Sequence, residues 1–416
     1  MSFNSTFSAL SSRGFGVNTS PGWIQQAILQ SNDITDGDQF GSSVAMNSDG
    51  TYLVIGADNE STSPNTQQGA VYVFTRSGST WTQQAKILAN DPANGDLFGR
   101  AVAINNAGDT IAVGVNVEDT PPTTNQGAVY IFTRSGSTWT QQDKLLSSDR
   151  LTGDGFGRSV SLDGSGNYII IGASTDDTSP YTNSGSVYIF TRSGSTWTEQ
   201  TKIYASDPTN NAGFGTSVQI SNDSNYAVVG APQNTLTEYG KVYVFARSGS
   251  TWTQQLNTSG SGALTIGRGR GMSVTIDSTG ANIVFASRDE ALSAWFFTRS
   301  GSSWTETQVI QNIIPSTSPP ITNSISSQGL STNSNISETM LGLYIPSITI
   351  NNKVYNINYG NEFFISQIIT GTNTVAGEDF GYSVSIAQSA NYVAIGTPLQ
   401  TAANNRGVVY IMCKLA

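Results

Sequence analysis

The apolar positions of this chain come in short alternating bursts, and the bursts recur at a nearly constant pitch. From residue 101, Ala101-Val102-Ala103-Ile104 reads as one strand and Thr110-Ile111-Ala112-Val113-Gly114 as a second. Ala128-Val129-Tyr130-Ile131-Phe132 reads as a third, and Trp139 to Leu145 as a fourth. Short runs rich in β-branched and aromatic residues with turn signals between them are strand signals, and no helical period interrupts them. The connections are a glycine-bearing turn at Asn105 to Asp109, a polar stretch VNVEDTPPTTNQ and a tight RSGST turn. These strands are called A to D below.

The unit repeats. A glycine at the head of strand A recurs at Gly41, Gly99, Gly157, Gly215, Gly271, Gly329 and Gly381, in steps of 58, 58, 58, 56, 58 and 52 residues. A second glycine lies in strand B, at Gly56, Gly114, Gly172, Gly230 and Gly396, where a small residue lets neighbouring backbones approach closely. Trp23, Trp81, Trp139, Trp197, Trp252 and Trp304 open strand D, and one fixed blade position reads as packing between blades rather than a sugar platform.

The seventh unit stops after Val409-Tyr410-Ile411 and lacks the closing W-T-Q-Q phrase, which stands instead at the N-terminus as Trp23-Ile24-Gln25-Gln26-Ala27. The pattern predicts an all-β chain, a seven-bladed β-propeller of four-stranded antiparallel blades. The N-terminal strand, residues 23–29, completes the last blade and closes the ring. Residues 1–22 form an arm and residues 23–416 the propeller.

Composition narrows the chemistry. There is no histidine, which removes the usual general base, the Ser-His and Cys-His pairs and every histidine-bearing zinc site. The single cysteine, Cys413, forms no intrachain disulfide and reads as a buried inert thiol. A net charge of −10 argues against nucleic acid and anionic membrane as partners. No apolar run approaches the ~20 residues that cross a bilayer, and the N-terminus lacks the basic region and apolar core of a signal peptide.

The phrases FGSSVA, VIGAD and GAVYVF, with Phe98-Gly99, Phe156-Gly157, Phe214-Gly215 and Phe380-Gly381, resemble the FG-GAP repeat. That repeat builds the integrin α-subunit propeller and many bacterial and viral surface proteins. The resemblance covers residues 23–416. Units five and six depart from it: Arg270 and Gln328 replace phenylalanine, and Ala294-Trp295 stands where other units have Val-Tyr. Integrin-type repeats often carry a D-x-D-x-D-G calcium loop between strands A and B. Here those turns read NSDG, NNAGD, DGSGN, SNDSN and DSTG, too short and too poor in carboxylates for a cation that takes six to eight oxygens. The calcium sites are therefore not carried over, and neither metal nor cofactor is expected. Acids just before FG, as in Asp33-Ile34-Thr35-Asp36-Gly37-Asp38, are a weaker metal candidate and read as turn caps.

In a four-stranded meander the A–B and C–D turns emerge on one face and the B–C and D–A loops on the other. The first face is uniform, with Arg76, Arg134, Arg192, Arg247 and Arg299 leading near-identical turns. The second is variable and gathers 19 of the 29 acids. Loops on a rigid scaffold commonly carry binding, so the candidate ligand residues are Asp58, Glu60, Glu118, Asp119, Asp176, Asp177, Tyr181, Glu238, Tyr239, Asp289 and Glu290. Residues 309–335 break the repeat with Pro, Ser and Asn, either as drift or as a docking surface.

The expected function is non-catalytic surface recognition or adhesion, of a protein or glycan, through the variable face. The alternative is a structural or decoration subunit of a larger assembly such as a virion, held by the N-terminal arm and the basic face. Glycoside hydrolysis by carboxylate pairs is a poor third, because no paired motif recurs at one blade position. The resemblance and the absent signal peptide together suggest an extracellular or virion-surface location. Deleting residues 1–30 is expected to abolish folding, since the last blade then keeps an unpaired edge; a soluble truncation that melts cooperatively overturns that expectation.

Overall fold

The computed structural model describes residues 23–33, 35, 37–119, 123–232, 239–261, 269–287, 294–310, 348–350, 353–359, 363–369, 383–387, 392–397 and 407–414. Among them every helix or strand element is a strand. After β1 (Trp23–Leu29), the first antiparallel sheet is β2 (Phe40–Met46), β3 (Tyr52–Ala57), β4 (Ala70–Ser77) and β5 (Thr80–Ile87). The second is β6 (Ala101–Ile104), β7 (Thr110–Val115), β8 (Ala128–Ser135) and β9 (Thr138–Leu145). The third is β10 (Phe156–Leu162), β11 (Tyr168–Ala173), β12 (Ser186–Ser193) and β13 (Thr196–Ile203). The fourth is β14 (Ser217–Ile220), β15 (Tyr226–Ala231), β16 (Lys241–Ser248) and β17 (Thr251–Thr258). The fifth is β18 (Ser273–Ile276), β19 (Asn282–Ala286), β20 (Ala294–Ser300) and β21 (Ser303–Ile310).

A three-stranded sheet follows, β22 (Ile348–Ile350), β23 (Lys353–Tyr359) and β24 (Phe363–Ile369). Last come β25 (Ser383–Ile386), β26 (Tyr392–Thr397) and β27 (Val408–Lys414), and β1 pairs antiparallel with β27, from Trp23 opposite Lys414 to Leu29 opposite Val409. Six four-stranded antiparallel sheets among the described residues make a β-propeller-like all-β fold. The inner strands touch in series: β25 lies against β2, β2 against β6, β6 against β10, β10 against β14 and β14 against β18.

The two repeating glycines meet each other. A Cβ built on Gly172 would lie 1.9 Å from the carbonyl oxygen of Gly215 in the next sheet. The same contact joins Gly56 to Gly99, Gly114 to Gly157, Gly230 to Gly271 and Gly396 to Gly41. In four of these joints a strand-A serine donates to the same carbonyl: Ser43 to Gly99 (2.7 Å), and Ser159 to Gly215, Ser217 to Gly271 and Ser383 to Gly41 (each 2.8 Å).

Beside four of the five joints the preceding phenylalanine is fully buried. Phe40, Phe98, Phe156 and Phe214 pack edge-on against the strand-C tyrosine and phenylalanine of their own sheets, with ring centroids 5.2–6.2 Å apart. The fifth sheet differs. There Arg270 takes the phenylalanine's place, 2% exposed, with its guanidinium 4.6 Å from the Trp295 ring.

A second set of contacts links the outer strands. Each C–D pair carries a register shift that bulges one strand-D residue, as at Gln84, which has no partner between Gln83 and Ala85. Bulges re-aim side chains, and here the bulge glutamines face the next sheet's tryptophan. Trp139 donates to Gln84 (3.0 Å), Trp252 to Gln200 (3.1 Å) and Trp304 to Gln255 (3.4 Å). In β1 the bulge falls at Gln26, which accepts from Trp81 at 3.1 Å. The regular tryptophans therefore pack between sheets, and the closing phrase W-T-Q-Q is a linker of outer strands.

Gly172→Ala is expected to destabilise the chain by about 3 kcal/mol, since a backbone carbonyl has to move. Gly194→Ala, in an open turn at φ +63, is expected to cost only ~1 kcal/mol. Urea unfolding of both variants checks this; equal midpoints would sink the joint as a determinant of stability.

Candidate functional site

The loop face is built on a polar cluster that recurs at the repeat pitch. In the second sheet Lys144 of β9 points its ammonium at Asp91 Oδ2 (2.7 Å) and at Glu118 Oε1 (2.6 Å), over the Tyr130 ring. The Tyr130 hydroxyl donates to the other Asp91 oxygen at 3.0 Å. In the first sheet Lys86 bridges Asp33 (2.8 Å) and Glu60 (2.6 Å); in the third Lys202 bridges Asp149 (2.7 Å) and Asp176 (2.5 Å), with Tyr188 donating to Asp149.

Burial pushes these lysines down, but the hydrogen bonds they donate to the flanking carboxylates outweigh it and hold all three above the ordinary lysine value. Burial likewise pushes Asp33, Asp91 and Asp149 up. Their lysines and other hydrogen-bond partners prevail and hold them below the usual range.

A further acid lies next to each cluster. Asp38, Asp96 and Asp154 accept from the backbone N–H three residues back, on Thr35 (2.5 Å), Ala93 (2.7 Å) and Leu151 (2.8 Å), which makes them turn caps. All three are buried, and burial raises their pKa, that of Asp154 to about 6. Among the described residues no group of three acids or cysteines is set to hold a metal ion.

The sequence-predicted ligand residues divide. Asp58, Glu60, Glu118 and Asp176 are 1–3% exposed and lie in internal ion pairs, Asp58 with Arg100 at 2.8 Å. Burial in these pairs leaves the four side chains little surface for a ligand. Asp119 and Asp177 are exposed and accept from the backbone of Asn125 and Asn183, each at 2.6 Å. Tyr181 is half-buried and Tyr239 is exposed. Glu238, Asp289 and Glu290 lie outside the described residues, as do the arm and most of residues 309–335.

On the opposite face the guanidinium groups make contacts within the molecule. Arg76, Arg134, Arg247 and Arg299 donate Nε to a carbonyl of their own sheet's A–B turn at 2.6–2.9 Å. Each also stacks on a tyrosine of the preceding sheet, 3.9–4.7 Å from Tyr392, Tyr52, Tyr168 and Tyr226. These arginines couple neighbouring sheets.

Sequence reasoning missed Lys86, Lys144 and Lys202, although they recur at 58 residues in phase with Tyr72, Tyr130 and Tyr188. It also missed Tyr204 and the Asp207–Lys241 pair. In the fourth sheet the strand-D lysine is replaced by Asn257, and Lys241 from the start of β16 pairs with Asp207 instead.

The sequence profile of the FG-GAP repeat family matches residues 23–74, 81–132, 139–190 and 197–245. No curated protein matches the chain. Among solved structures, a chain of the "Crystal Structure of Mitotic Checkpoint Complex" is similar over 96% of this chain and 94% of its own, with a TM-score of 0.55 and 10% identity. At that identity the likeness concerns the fold alone.

Asp154 gives a pH prediction. Its folded pKa of about 6 lies above the ordinary 3.8, so its contribution to stability is full below 3.8 and is lost as pH rises through about 6. Asp149 acts oppositely, its contribution being lost as pH falls below 3.8 through its lowered value. Asp154→Asn is expected to raise the Tm at pH 7 and leave it nearly unchanged at pH 4; a variant whose Tm–pH profile parallels the parent's would refute the assignment.

Proposed function

We propose, from the premise that the chain belongs to the FG-GAP repeat family, that it is a non-catalytic recognition module whose variable loop face binds a protein or glycan. We read it as a seven-bladed ring closed by β1. The pairing of β1 with β27, the Gly396–Gly41 joint and the Trp81–Gln26 hydrogen bond support closure. An extracellular or particle-surface setting suits such a module.

One observation carries the functional reading. On the loop face, inward-pointing residues repeat from unit to unit, while an exposed one need not. Glu60, Glu118 and Asp176 hold the same buried place, yet the position where Leu88 and Leu146 pack half-buried against the core is taken in the third unit by the exposed Tyr204. Scaffold positions are constrained by packing, and loop positions free of that constraint commonly carry recognition.

The test is capture on glycan arrays and in pull-downs, comparing the parent with Asp119→Arg and Asp177→Arg. These acids are exposed, and Asp119→Asn and Asp177→Asn, which keep an oxygen acceptor for the Asn125 and Asn183 N–H groups, control for loss of those loop hydrogen bonds. Loss of capture by about tenfold or more at unchanged Tm is expected. Undiminished capture by the variants would discount this face. No capture by any route, with stable incorporation into a particle, would favour the structural alternative.

A further inference from the structure

The fourth sheet changes the cluster at its cation. Lys86, Lys144 and Lys202 have side chains 22, 20 and 13% exposed, whereas Lys241 is 38% exposed and its partner Asp207, at 37%, is less open than Asp33, Asp91 and Asp149 at 49, 52 and 48%. Asp207 remains fully ionised at neutral pH. Burial raises its pKa, but hydrogen bonds from Lys241, Asn257 and Tyr243 outweigh that and hold it below the ordinary value.

Two exposed tyrosines flank this pair in the chain. Tyr204, three residues before Asp207, is 42% exposed, and Tyr239, two residues before Lys241, is 43% exposed. Contact between Asp207 and Lys241 brings the two segments together.

Both rings are held from one side. Beside Tyr204 lies the Lys202 ammonium, 5.1 Å from the ring centroid and itself fixed by Asp149 and Asp176. Beside Tyr239 lies the Arg270 guanidinium at 5.0 Å, buried and donating to the Ser259 carbonyl. A cation on one face of an aromatic ring orients it and draws electron density from the other face. Such a ring favours stacking with a neutral apolar surface over capture of a second cation.

We propose that Tyr204, Asp207, Lys241 and Tyr239 form a subsite for a neutral oligosaccharide. A pyranose ring offers an apolar C–H face for the tyrosines and a hydroxyl rim for the carboxylate acceptor and ammonium donor. The exposed Asp149, ion-paired to the Lys202 that lies beside Tyr204, disfavours sialylated or sulfated sugars. A protein interface needs a contiguous apolar core of several hundred Å². Here the two rings are separated by an ion pair, and the other exposed large apolar side chains among the described residues are only Ile28 and Leu151. The subsite rests on the recognition reading above and names its ligand class.

The experiment titrates the full chain by calorimetry with neutral gluco-, manno- and galacto-oligosaccharides and with sialylated and sulfated ones. Tyr204→Ala, Tyr239→Ala and Tyr204→Trp are compared with the parent. Binding of a neutral oligosaccharide, weakened about tenfold or more by each alanine at unchanged Tm and retained by Tyr204→Trp, is the expected result. Neutral-sugar binding that ignores both alanines overturns the subsite but leaves the recognition reading standing. So does binding confined to acidic sugars, or capture of a protein partner with no sugar bound. No binding of any sugar or protein overturns both.

Discussion

A carbonyl oxygen lying on the bare α-carbon of a glycine in the neighbouring sheet sets the spacing at five joints among the described residues. With a Cβ on that glycine the two atoms would approach to about 2 Å, a distance that real structures do not reach, so sheets at this separation require glycine on one side. The adjacent buried phenylalanine, the serine that caps the carbonyl and the outer Trp–Gln bonds are all referred to this joint. They fix the angle between sheets from the inside and the outside. In the fifth unit Ala286 occupies the strand-B glycine position, and a joint of the same closeness is not available there. That is where the other repeat features also change, from Phe-Gly to Arg270-Gly271 and from Tyr to Trp295.

Charge plays a different part from the one its abundance suggests. Carboxylates buried in the loop face would be strongly destabilising if left alone, and each of the first three sheets places one lysine between two of them. The lysine is a cation supplied by the chain itself. It organises the loops from beneath by tying one buried carboxylate to one half-exposed carboxylate in each sheet.

The strands, their order within each unit and the displaced outer strand were legible because they follow from period and from copy number. Gly172 and Gly215 were each visible as repeats, but that they touch was not, because contact between sheets depends on their relative placement in space. The loop acids misled for a physical reason. Composition locates Glu118 in a loop, yet its burial depends on Lys144 approaching from β9. The 58-residue phase shared by Lys144, Asp91 and Tyr130 was a usable signal. Tyr204 gave none, since it stands at the position of Leu88 and Leu146, where a large apolar side chain reads as packing.

The pairing of Trp23 with Lys414 places the first residue of β1 beside the last of β27, at the end of the sheet nearest the arginine turns. Tension applied between those two residues would load the β1–β27 hydrogen bonds one after another, as a zipper is opened, and not all at once in shear. That seam is thus a weak direction for a load on these two strands. A load applied through the opposite loop face and returned through both strands together would bypass it.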